Sequence, residues 1–345
     1  MLPWLSGLAA DPGRVHTEGH VARAAVEGAR EQVAALVGAR PREVVFTSGA
    51  TEAINAVAFG CADRGAQALA PVEHSAVRDA AARAGEVVAL PVDGLGRVSV
   101  DDIALDGVGL VHCQWANHEV ATVQPVGAVA EAARAAGTLV HVDAAAAVGH
   151  VALAFADMPV DLLSLSGHKF GGPQGTGALL VRRGLRLPPF VVGGDQERAR
   201  RAGLENVAAI VGLGAAAEAV GASTADEAAR ARQQTDALLA AALAVDGVVA
   251  YGDTRDRVPH IVCVGVEGVE AEAVLLGLDQ AGVAAHSGSA CSSESLEPSP
   301  VLAAMGVDAE RSLRLSVGWS TTDAEIAAFT RAFADVVARL RALRA

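Results

Sequence analysis

Lysine is nearly absent from this chain: 27 residues are lysine or arginine, and the one lysine among them is Lys169. Arginine serves a surface charge equally well, but it cannot act as a neutral amine at working pH or form a Schiff base. A single retained lysine therefore marks a place where an amine has chemistry to do. Aromatic residues are also scarce, at 3%, so the core has to be built from Ala, Val and Leu. The four cysteines (Cys61, Cys113, Cys263 and Cys291) form no CxxC pair and no zinc spacing. That excludes a disulfide framework or a metal knuckle and fits a reduced, cytoplasmic setting. No apolar run reaches the length of a membrane span. The opening MLPWLSGLAA lacks a basic leader region and reads as the tail of a helix. With a net charge of −13, nucleic acid and anionic membranes are disfavoured partners, and any anionic ligand must be held locally by helix N-termini or placed arginines.

What is present is an α/β pattern. Strands are expected at Glu43–Thr47, Ala66–Ala70, Glu86–Leu90, Gly109–Cys113, Leu139–Val142, Val160–Leu165 and Gly177–Val181, with helices between them. Such alternation argues for a mostly parallel sheet covered on both faces, with ligands beyond the strand ends. From about Gly221 the texture changes to a long Ala/Arg/Glu helix, short strands near Val248–Tyr251, His260–Val264 and Ser312–Val317, and a closing helix. The expected division is a large α/β domain over residues 10–222 and a smaller α+β domain over 223–345, with residues 1–9 packing on the latter.

The stretch Ser164–Gly177 (SLSGHKFGGPQGTG) organises the candidate chemistry. A buried-type strand runs into Ser166-Gly167-His168-Lys169 and then a glycine loop, which presents the lone lysine at a strand end. Asp143 ends an apolar strand among alanines, where a carboxylate needs a partner. Taken alone, an arginine or a helix start on one side and the protonated nitrogen of a pyridine ring on the other are equal candidates for that role. Lys169, one strand later, favours the ring. His74 lies between a strand end and a helix start, and read alone is a helix cap or a proton carrier. The strand–SGAT–helix turn at Ala50 and Thr51 is either a plain N-cap or a phosphate cradle. Arg314, between strand leucines, suits a carboxylate ligand or an internal ion pair. Asn117 also follows a strand. Cys291 sits in a stretch of small residues that suits a nucleophilic thiol, whereas Cys61, Cys113 and Cys263 lie in apolar segments and are expected in the core.

Taken together, FTSGATEA, VEHSAV, HVDA, SGHKFGGPQGTG, SGSACSSESLEPSPVL and SLRLSVG resemble, in order over nearly the whole chain, the cysteine desulfurases. These belong to the class V aminotransferase superfamily of fold-type I pyridoxal phosphate enzymes; the match is to the iron–sulfur-assembly-like group with the SGSAC loop. The resemblance implies that Lys169 carries the cofactor, that Asp143 pairs with its ring nitrogen and that His74 stacks on the ring. Thr51, Ala50, Ser166 and His168 would hold the phosphate, Asn117 and His118 would lie near the phenolic oxygen, and Arg314 would take the carboxylate of cysteine. Cys291 would receive the sulfur as a persulfide, alanine would leave, and an acceptor such as an iron–sulfur scaffold or a tRNA-thiolation protein would follow. It also implies a homodimer. A selenocysteine lyase, an aminotransferase or a cofactor-poor paralogue on the same fold are the alternatives. Three positions depart from the family pattern: Ala146 replaces glutamine, His118 replaces asparagine and Leu204 replaces threonine.

Overall fold

The computed structural model describes residues 1–7, 10–287 and 299–343. Short Val/Leu/Ala runs form β1 Val44–Thr47, β2 Ala66–Leu69, β3 Val87–Ala89, β4 Val108–Gln114, β5 Leu139–Asp143, β6 Leu162–Ser166 and β7 Gly177–Val181. They make one seven-stranded sheet in the order β1-β7-β6-β5-β4-β2-β3. The pairs β2–β3, β2–β4, β4–β5 and β5–β6 are parallel, whereas β7 runs antiparallel to both β1 and β6. Every residue of β6 and β7 is buried, as expected of strands covered on both faces.

Helices α1 Leu2–Ser6, α2 Thr17–Leu36, α3 Ala50–Gly60, α4 Ser75–Ala84, α5 Val126–Ala136, α6 Gln196–Ala199 and α7 Val207–Gly221 belong to this larger body. The α2–α7 contact is close because Gly214 has no side chain: a Cβ there would lie 2.6 Å from the Ala29 Cα. α6 is not an ordinary helix, since Glu197, Arg198 and Ala199 all have positive φ. After α8 Thr224–Leu243 come β8 Val248–Tyr251, β9 Ile261–Val266, α9 Ala271–Gln280, α10 Pro300–Ala304, β10 Ser312–Ser316 and α11 Asp323–Ala342. The second sheet is antiparallel, in the order β10-β9-β8. Its own apolar core joins Leu238, Val264, Val274, Leu278, Leu313, Phe329 and Phe333.

The amino-terminal segment departs from expectation. α1 lies against α7 of the larger body rather than against the smaller one, and Trp4 packs on the main core. α10 crosses the other way, with Val301, Leu302 and Met305 buried in the main core. Among the described residues no single helix is long and apolar enough to cross a membrane.

Candidate active site

Lys169 lies in a turn of 3₁₀ helix, Gly167–Phe170, that follows β6 directly. The turn forms because the surrounding glycines leave room for it. A Cβ on Gly167 would lie 2.6 Å from the Thr176 Oγ1, and one on Gly177 would lie 2.5 Å from the Leu165 carbonyl oxygen and 2.6 Å from the Gly49 Cα. The start of β7 thus presses against the turn between β1 and α3. Ser166 Oγ meets His168 Nδ1 at 3.0 Å, and it lies 3.7 Å from where a Cβ on Gly49 would stand. Gly49 caps α3 with no side-chain bond to the first turn. The start of α3, which carries the exposed Thr51, therefore begins beside the Ser166–His168 pair.

Lys169 and His168 also line a cavity of about 410 Å³ with His118, Ala146, His150, His260 and, from the smaller body, Arg314 and Trp319. Arg314 Nη1 donates to the His118 carbonyl at 3.1 Å, but its buried Nε–H has no hydrogen-bond partner among the described residues. An orphaned guanidinium N–H on a cavity wall is a ready site for an anionic oxygen.

Asp143 ends β5, where it is 8% exposed. It accepts from the Ala145 N–H at 3.0 Å and from the Ser164 hydroxyl at 3.3 Å. His74 does cap α4: its Nδ1 accepts from the Ala76 N–H at 3.0 Å. That bond fixes the neutral ring's proton on Nε2. Its ring stands edge-on to His118, with centroids 4.9 Å apart, so the cap and the site face are the same residue. Asn117 differs from expectation. Its amide is fully buried, donates to the Val72 carbonyl and accepts from the Glu119 and Val120 N–H groups. Its side chain holds the loop, and its neighbour His118 faces the cavity. Leu204 is 62% exposed and is not one of the residues lining the cavity.

Cys61, Cys113 and Cys263 are all buried. Burial pushes the Cys61 thiol up to about 11 and the Cys263 thiol up to about 12, and it holds Cys113 well above the ordinary range. None is a nucleophile at neutral pH. Cys291 lies outside the described residues. The chain on either side of residues 288–298 is tied to the site: His286 pairs with Arg314 through both backbone bonds, and the Ser299 hydroxyl donates to Glu119, beside His118.

Two parts of the site escaped the sequence. His150 and His260 stack with centroids 3.6 Å apart on the cavity wall, and His150 Nε2 donates to the Lys169 carbonyl at 3.0 Å. Their spacing, 110 residues apart in sequence, carries no signal. The second is a row of polar side chains behind Asp143: Ser164, His141, His112 and Gln67. Here there was a signal, since each is a polar residue inside a mostly apolar strand.

The aminotransferase class-V family profile matches residues 4–329. The chain belongs to the class-V aminotransferases. It is 39% identical over 99% of its length to a cysteine desulfurase of Trichormus azollae, covering 90% of that protein. Identity is 38%, again over 99% of the chain, to the cysteine desulfurase IscS of Methanosarcina thermophila, of which 88% is covered. A solved NifS-like protein superposes with a TM-score of 0.91 at 29% identity, covering 98% of this chain and 94% of the other. The donor set of this class-V aminotransferase fits pyridoxal phosphate: an uncapped helix start with hydroxyls for the phosphate, a lone amine for the aldehyde, and a buried carboxylate for the ring nitrogen.

Proposed function

We infer that the chain is a pyridoxal-phosphate-dependent cysteine desulfurase, converting L-cysteine to L-alanine and passing the sulfur to a protein acceptor. The observation that carries this is that the one lysine and Arg314, whose Nε–H has no hydrogen-bond partner among the described residues, line the same cavity. The cofactor supplies an electron sink that labilises bonds at the α-carbon of the amino acid it holds. The chain's residues supply the rest. Lys169 holds the cofactor, and its Nζ takes and returns the proton at the substrate's α-carbon. Asp143, with Ser164 and the Ala145 N–H behind it, holds a positive charge on the ring nitrogen. The start of α3 with Thr51, Ser166 and His168 takes the phosphate, and His74 and His118 form the ring-facing wall. Arg314 takes the substrate carboxylate.

Sulfur transfer needs a thiolate. We assign it to Cys291, because burial silences the other three cysteines. The substrate's Cβ–S bond breaks, an S–S bond to Cys291 forms, and the carbon skeleton leaves as alanine with a proton in place of sulfur. The persulfide is then passed to an iron–sulfur scaffold or a tRNA-thiolation protein. Exposed Leu2, Leu5, Phe190, Val192 and Leu204 support a homodimer, and the reduced cysteines support a cytoplasmic setting.

The test is turnover of L-cysteine by the purified protein. Alanine and sulfide should appear in equal amounts in the presence of a thiol reductant. Lys169→Arg should lose both turnover and the visible absorbance of the bound cofactor. Cys291→Ala should retain the absorbance and lose sulfide release; unchanged release by this variant would remove Cys291 from the reaction.

A further inference from the structure

Behind Asp143 a line of hydrogen bonds crosses four adjacent strands. Ser164 on β6 meets Asp143 Oδ1 at 3.3 Å and His141 Nε2 on β5 at 3.2 Å. His141 Nδ1 meets His112 Nδ1 on β4 at 2.9 Å, and His112 Nε2 meets Gln67 Oε1 on β2 at 2.9 Å. Gln67 Nε2 donates to the Ala58 carbonyl of α3 at 2.7 Å. The four side chains behind Asp143 are at most 1% exposed, so water cannot repair a missing proton.

The direction of every bond follows from its far end. A carbonyl only accepts, so the Gln67 amide nitrogen faces Ala58 and its oxygen faces His112. His112 must then carry its proton on Nε2, which leaves Nδ1 as an acceptor for His141 Nδ1–H. His141 Nε2 is consequently an acceptor as well. Burial keeps both rings neutral, holding His112 down at about 3 and His141 well below its ordinary range. Two neutral imidazoles and one hydroxyl supply three protons for the four contacts from Gln67 to Asp143. The shortfall falls on Ser164, whose single proton stands between two acceptors at nearly equal distances.

We propose that Ser164, His141, His112 and Gln67 form a positioning relay in which the Ser164 hydroxyl is shared between Asp143 and His141, and that this sharing sets how strongly Asp143 attracts the proton on the cofactor's ring nitrogen. When Ser164 donates to His141, Asp143 Oδ1 faces a hydroxyl lone pair and gains by drawing a proton toward itself. When Ser164 donates to Asp143, the carboxylate is satisfied and its pull weakens. Gln67, on the farthest of the four strands, fixes both tautomers and so keeps His141 Nε2 an acceptor that competes with Asp143 for the Ser164 proton. The link to the ring nitrogen rests on the cofactor assignment made above; the tautomers do not.

The first test uses ¹⁵N NMR of histidine-labelled, full-length apoprotein between pH 6 and pH 8. His112 should carry its proton on Nε2 and His141 on Nδ1. A reversed tautomer or a doubly protonated ring at either position overturns the relay, whatever reaction the enzyme performs. The second follows the ¹⁵N shift of ring-labelled pyridoxal phosphate bound to the protein. Gln67→Met frees the tautomers and should move the ring nitrogen toward its fully protonated shift, whereas Ser164→Ala should move it the opposite way. In the Ser164→Ala background, Gln67→Met should add nothing. Shifts of the same sign, or shifts that add, overturn the proposal.

Discussion

Arg30 and Glu197 form a bidentate ion pair with both side chains almost fully buried: Nη1 lies 2.7 Å from Oε2 and Nη2 lies 2.8 Å from Oε1. The pair ties three elements together, because Arg30 also donates to the Val44 carbonyl and Glu197 accepts from the Phe46 N–H. Glu197→Gln should therefore strand a buried guanidinium charge. We expect it to destabilise the fold by about 3–5 kcal/mol, read from urea unfolding. A loss within about 0.5 kcal/mol of zero would mean that water reaches the pair.

Three residues from Glu197 to Ala199 adopt left-handed backbone, with φ of 49°, 61° and 61°. Ala199 is exposed, so its methyl group brings no packing to offset the conformational cost. Ala199→Gly should stabilise the protein by about 0.5–1 kcal/mol, the left-handed penalty less the added freedom of glycine in the unfolded chain. Thermal unfolding of the pair reads it directly, and a lower melting temperature for the glycine variant would show that the turn is not strained.

Glu73 is buried behind the site, where one carboxyl oxygen accepts from the Gln114 N–H and the other has no hydrogen-bond partner among the described residues. Burial raises its carboxyl to about 8. It is protonated in the folded protein and ionised in the unfolded chain, so it lowers stability progressively as pH rises from about 4.5 to about 8. Glu73→Gln keeps an acceptor and removes the titration. The variant should match the parent near pH 4.5 and exceed it in melting temperature near pH 8. Parallel profiles would place the Glu73 proton elsewhere.

The histidines act with the opposite sign. His112, His141 and His260 are held neutral by burial, so each gains a proton on unfolding below about pH 6.5 and stability falls as pH drops. At pH 5.5 these three rings less Glu73 account for uptake of about two protons on unfolding. His150 and His168, also held low by burial, add to this uptake, and Glu205 subtracts from it. Calorimetry in two buffers of different ionisation enthalpy measures this number, and net proton release would refute it.

Thiol labelling offers a separate check. Iodoacetamide at pH 8 should leave Cys61, Cys113 and Cys263 unmodified in the native protein, because all three are buried with raised thiol pKa values. Peptide mapping after brief labelling reads this out, and modification of Cys113 in folded protein would contradict its burial.

The sequence alone determined the strand and helix alternation, down to the exact bounds of β7 and β8. It did so because apolar runs punctuated by glycine have few ways to fold locally. It also singled out Lys169, since scarcity and a glycine loop are both visible in one dimension. Tertiary structure decided what depends on register between distant strands. His112 faces His141 because β4 and β5 pair at that step, and Asp143 faces Ser164 because β5 and β6 pair at theirs. It also decided that Asn117 turns into its loop while His118 faces the cavity, and that α1 lies on α7. No local pattern encodes these choices, because each is settled by which buried polar group finds a partner across the sheet or loop, and where an apolar side chain finds its cover. Lys169 was legible as an amine with work to do and Asp143 as an acid in need of a partner; that four residues line up behind that acid became legible only once the strands were in order.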